Sequence, residues 1–162
     1  MDRQLHDELR ASAAVTYGRP SSVDCAHIAR HMRPSDVREL LEHPFNMDRS
    51  VLEMAHACVS VSEQAWVACA DGEPFVMFGV QRPSQTVAHP WMFGTPLMLR
   101  FRKQIVQEAP KWLEALRGEA VLLSNIFDTR NTVHIRWAKS LGFEPSEQVV
   151  NHPNYQYMVK RY

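Results

Sequence analysis

Apolar positions along the chain follow two rhythms, and both are clearest between Ala120 and Phe143. Ala120–Phe127 is a short apolar run followed by polar turn residues, which reads as a buried strand. Asp128, Thr129 and Asn131 then offer short polar side chains that can accept the first unpaired N–H groups of a helix. From Val133 the spacing turns helical. Val133, Trp137 and Leu141 repeat every fourth residue with Ala138 beside them, and Arg136, Lys139 and Ser140 take the opposite face. Gly142 supplies a left-handed stop and Phe143 returns to the core.

The same reading extends over the rest of the chain. Residues 1–12 are polar and read as a flexible N-terminal arm, and Ala13–Tyr17 as a first strand. Ser22–Met32 reads as a helix capped by Ser22 or Asp24, with Val23, Ile28 and Met32 inward, and Pro34 breaks it. Ser35 caps a second helix, Asp36–His43, that buries Val37, Leu40 and Leu41. Asp48 or Ser50 starts a third, running to Ser60, with Val51, Leu52, Met54, Ala55 and Cys58 as its apolar positions. Ala65–Ala70 and Pro74–Val80 form a hairpin across Asp71-Gly72. Thr86–Phe93 is a further strand in which Pro90 demands an edge position or a bulge. Thr95 and Pro96 open a long helix from Leu97 to Leu116, kinked near Val106 by Pro110 and ended by Gly118. Short strands near Gln148–Val150 and Tyr155–Val159 close the chain.

This succession predicts one mixed α/β (α+β) domain over residues 1–162, with a twisted mixed sheet of about six or seven strands flanked by helices. A chain of 162 residues suffices for one core, burying roughly 70% of its unfolded surface. Eighteen basic residues balance eighteen acidic ones, which argues against a broad nucleic-acid footprint. A local DNA contact through Arg100, Arg102, Lys103 and Arg136 remains an expectation worth testing. Cys25, Cys58 and Cys69 lack CxxC spacing and read as reduced thiols. No apolar run is long enough for a membrane span. The charged start MDRQLHDELR lacks a secretory signal's apolar segment, so synthesis in a cytoplasm is expected.

The order of elements, with Asn131 opening a helix that ends Leu141-Gly142-Phe143, resembles the GNAT superfamily of acetyl-CoA-dependent N-acetyltransferases. A closer likeness runs from Pro90 to Tyr157. WMFGT, the basic LRFRK and NTVHIRWAKSLG together resemble the GNAT-like internal virion proteins of short-tailed bacteriophages. The resemblance implies a GNAT fold and a coenzyme A site where the last central strand meets the long helix.

That chemistry has requirements the residues can be held to. A pyrophosphate is bound by free amides at a helix start, brought close by glycines. The matching positions are Phe93, Gly94 and Thr95, with Asn131 near the pantetheine arm, and acetyl-CoA is the implied cofactor. Only one glycine is present and Pro96 removes a donor, so the residues favour a plain capped helix start and no bound cofactor. The usual carboxylate base is missing from Thr86–Phe93, where His89 is the one titratable group. The usual tyrosine acid falls on Ala138. His27 and His31 have metal-binding spacing without a third ligand, so no metal is expected.

These readings favour a catalytically degenerate GNAT-fold component of a virion. It would be made in the host cytoplasm and assembled with portal, tail or internal core proteins, with a homo-oligomer expected in the particle. The alternative is an acetyl-CoA-dependent N-acetyltransferase acting on a small amine or a host protein.

Overall fold

A computed structural model describes residues 15–162, and the expected N-terminal arm lies outside the described residues. The elements are β1 (Val15–Gly18), α1 (Ser22–His31), α2 (Pro34–Leu41), α3 (Val51–Ser60), β2 (Gln64–Ala70), β3 (Glu73–Gln81) and β4 (Val87–Gly94). A 3-10 turn, Pro96–Leu99, then leads into α4 (Arg102–Arg117), β5 (Leu122–Asp128), α5 (Thr132–Ser140), β6 (Glu144–Gln148) and β7 (Tyr155–Arg161). The strands form one mixed sheet in the order β1-β2-β3-β4-β5-β7-β6.

Alternation along the strands gives the sheet two apolar faces. On one face Val67, Met77 and Phe93 pack against Cys25 and Ile28 of α1, Met32 just after it and Ala55 of α3. On the other Phe78, Val80, Ala88, Leu123, Phe127 and Met158 pack against Leu113 and Leu116 of α4 and Ala138 of α5. Each large side chain buried in these layers contributes about 1.5–3 kcal/mol.

Among the described residues β4 and β5 are the only parallel neighbours, and their pairing is short: Val87 opposite Leu122 and Ala88 opposite Leu123. Beyond that point the strands diverge. Pro90 sits in this central strand rather than at an edge, opposite Val80 of β3. Its carbonyl accepts from Asn125 Nδ2 on β5 at 2.6 Å, so its missing N–H falls on the side where backbone pairing has stopped. His89 Nδ1 likewise reaches the Ser124 carbonyl at 2.6 Å. Side chains bridge a gap that backbone groups leave open.

Several sequence expectations shift. Pro34 opens α2 instead of only ending α1, because its fixed φ suits a first helical position. Ser21, one residue earlier than expected, caps α1 in a reciprocal box with Asp24. Val23 and Leu41, expected inside, are exposed. The long helix is divided, with the 3-10 turn at Pro96–Leu99 preceding α4. β6 lies at Glu144–Gln148, earlier than the expected Gln148–Val150. The inward face of α5 is also rotated: Val133 is 67% exposed, while His134 is half-buried and Ala138 buried.

Candidate functional site

The divergence of β4 from β5 opens a cavity of about 560 Å³. His89, Trp91, Asn125 and Tyr157 of the sheet line it, with Glu39 of α2 and Phe45 of the α2–α3 loop on one side. A second cavity of about 320 Å³ lies between the start of α4 and the outer side of α5. Its floor is apolar, including Met98 and Val106, and Arg33, Arg102 and Arg136 stand around it. Met92, Ile105, His134 and Trp137 line both cavities and form the wall between them.

The end of β4 is held rigidly. The buried Asp36 accepts from the Gly94 amide at 3.0 Å and from Arg33 Nε and Nη2 at 2.9 Å each. Burial pushes the Asp36 carboxyl above its ordinary value, against the opposing pull of Arg33 and the Gly94 N–H. The Thr95 amide donates to the Phe75 carbonyl at 2.9 Å and that of Met98 to the Thr95 carbonyl at 3.0 Å. The Leu97 amide turns to Thr95 Oγ1 at 3.3 Å. A Cβ on Gly94 would fall 2.5 Å from the Phe75 carbonyl oxygen and against the Met98 sulfur, so only glycine fits there. Phe93 is buried and stacks on Trp91, with ring centroids 5.0 Å apart. The amides of Gly94, Thr95, Leu97 and Met98 thus already have partners within the chain, and anion binding on backbone N–H groups, as a glycine-rich turn provides it, has no free donors at these positions.

Cationic side chains supply what the amides do not. Arg102 and Arg136 are exposed and have no carboxylate partner among the described residues, whereas Arg33 is neutralised by Asp36. The second cavity therefore suits a ligand with an apolar part and an anionic end.

Asn131 caps α5, accepting from the His134 amide at 3.4 Å, and its Nδ2 donates to Glu39 Oε2 at 3.2 Å. The same carboxylate oxygen lies 3.4 Å from His134 Nδ1. Tyr155 Oη donates to the Glu39 carbonyl at 3.0 Å. Burial, with Asp128 and Glu39 nearby, pushes the Tyr155 phenol far above its ordinary range, so it stays protonated. His134 and Glu39 side chains are 11% and 12% exposed. Glu39 has no arginine or lysine partner among the described residues, unlike the carboxylates around it. Asp128 accepts from Arg130 Nε at 2.8 Å and Arg38 Nε at 3.2 Å, and Glu42 pairs with Arg130.

Of the expected site residues, Phe93 lines the larger cavity, Gly94 and Thr95 are buried and line neither cavity, and Asn131, which also lines neither, is linked to α2 through Glu39. His89 lines the larger cavity with Nδ1 engaged on Ser124. Ala138 is buried in the core and has no acidic group to offer. The His27 and His31 rings lie 4.6 Å apart at a 45° tilt, and among the described residues no three His, Cys, Asp or Glu side chains are grouped as metal ligands. No described helix is long and apolar enough to cross a membrane. Setting the apolar stripe of α5 on Val133 hides His134, and Glu39, on α2, carries no local signal of its contact with it. The spacing His134, Ala138, Leu141 would have found the inward face.

No protein-family model matches the chain, and no curated protein matches it. Solved structures do. Ard1 from Thermoplasma volcanium aligns with a TM-score of 0.64 at 18% identity, over 91% of this chain and 97% of that one. PaiA N-acetyltransferase from Thermoplasma acidophilum, in complex with coenzyme A, aligns at 0.61 and 13% over 92% and 99%. AAC(6')-Ib in complex with ribostamycin and coenzyme A aligns at 0.62 and 15% over 91% and 93%. The chain has the fold of GNAT acetyltransferases.

Proposed function

We propose that this chain is an acetyl-CoA-dependent N-acetyltransferase. The observation that carries the reading is the pair of cavities meeting at one wall where β4 leaves β5. One cavity is smaller, apolar and edged by Arg102 and Arg136, which have no carboxylate partner among the described residues; the other is larger and set against α2. Two cavities of different chemistry on either side of one wall suit a two-substrate transfer. Arg102 and Arg136 would take the phosphates of the coenzyme and the floor around Met98 its thin arm. Phe93, Gly94 and Thr95 would shape the β4 wall by packing, and Asn131 would act through Glu39. The bound thioester supplies an activated acyl carbon and a thiol leaving group. The coenzyme-bound neighbours AAC(6')-Ib and PaiA support the reading by fold.

The second reading, a non-catalytic scaffold built into a virion with other virion proteins, has the engaged turn amides in its favour. None of the neighbours named above is a virion protein. Thiol release from acetyl-CoA with phenethylamine or a lysine-rich peptide as probe acceptors separates the two. The enzyme reading expects release at least about a hundredfold above the blank with one of these amines. Release at the blank rate with both would sink it.

A further inference from the structure

We propose that His134, oriented by Glu39, is the group that removes the proton from the acceptor amine during acyl transfer; this rests on the acetyltransferase reading above. Of the four described side chains lining both cavities, Met92, Ile105 and Trp137 have no basic nitrogen, and His134 has one. A base for this reaction belongs at that wall, where an amine from one side meets a thioester from the other.

The local geometry sets which nitrogen acts. Nδ1 faces Glu39 Oε2 at 3.4 Å, so the carboxylate favours the tautomer with the proton on Nδ1. Nε2, on the far side of the ring, has no partner among the described residues and is left as the acceptor. The ring is fixed by Phe127 at 4.7 Å and Trp137 at 5.9 Å, and its helix start by Asn131, which also holds Glu39. Glu39 is a positioning residue here, since it acts through the imidazole.

The step balances on these atoms. The amine nitrogen bonds to the acyl carbon as the carbon–sulfur bond breaks. One N–H proton passes to Nε2, and the imidazolium returns it to the departing sulfur, so His134 ends as it began and thiol and amide are the products.

Bromoacetyl-CoA tests this without knowledge of the natural acceptor, because its electrophilic carbon alkylates a nucleophilic nitrogen lying beside the acyl position. Labelling of the full chain is followed by peptide mass spectrometry, with acetyl-CoA affinity measured in parallel by calorimetry. The expected result is one adduct on His134, prevented by excess acetyl-CoA and lost in His134→Gln. In Glu39→Gln labelling should slow by about tenfold, the rate equivalent of one charge-assisted hydrogen bond, at unchanged acetyl-CoA affinity. Glu39→Asp should recover part of the rate. Acetyl-CoA binding with no adduct, or with adducts only on His89 or the cysteines, overturns the role of His134 and leaves the coenzyme reading standing. Absence of binding overturns both.

Discussion

At the scale of single residues, the site rests on carboxylates whose surroundings set them apart. Asp128 has a fully buried side chain, and burial alone would raise its carboxyl. The hydrogen bonds from Arg130 and the charges of Arg130 and Arg38 outweigh that, and the net direction is down. A carboxyl depressed in the fold adds stability above its unfolded value of about 3.9 and loses it as pH falls through the folded value. Asp128→Asn should therefore unfold at lower urea concentration at pH 7, by about 1–3 kcal/mol, and show a flatter loss of stability between about pH 5 and pH 3 than the wild type. Equal slopes in the two proteins would contradict the assignment. The cysteines show the opposite balance. Burial pushes the Cys58 thiol up to about 11 and raises Cys25 and Cys69 as well, which marks them as poor nucleophiles beside a half-buried imidazole.

At the scale of elements, the legible features were those fixed by local chemistry. Ser50 caps α3 in a reciprocal box with Glu53, Asp71-Gly72 turns the β2–β3 hairpin with positive φ at both residues, and Gly118 and Gly142 follow α4 and α5. Features decided by tertiary context were misread. A proline in a strand signals a missing hydrogen bond, and only the divergence of β5 explains why a central strand tolerates it. The face of α5 depends on which layer covers it: a stripe set on Val133 and one set on His134 differ by one residue in a nine-residue helix. The site followed the same division. Its glycine turn was visible as a pattern, whereas Glu39 reaches His134 across 95 positions of sequence with no local signal. The bridge across the open strands makes its own prediction. Asn125→Ala removes the bond to the Pro90 carbonyl and one to the Ile126 amide, and should lower stability by about 1–3 kcal/mol in urea unfolding. A smaller loss than about 0.5 kcal/mol would mean that these bonds do not hold the strands at their spacing.

At the scale of the whole molecule, net charge is zero while Arg102 and Arg136, without carboxylate partners among the described residues, flank one apolar cavity. That local imbalance, rather than overall charge, is what would draw a phosphate-bearing coenzyme to this side of the sheet. The larger cavity reaches toward α2, where Glu39, which has no arginine or lysine partner among the described residues, lies with the aromatic surface of Phe45 and Trp91. An amine carrying an apolar group suits that lining. On the acetyltransferase reading, donor and acceptor would lie on either side of the side chains that line both cavities, with His134 between them. Calorimetric titration with acetyl-CoA tests this account most directly, using the wild type and the Arg102→Glu/Arg136→Glu double variant. The account predicts micromolar binding, about −8 kcal/mol, weakened at least about tenfold in the double variant. No heat at millimolar acetyl-CoA, or equal affinity in both proteins, would contradict it.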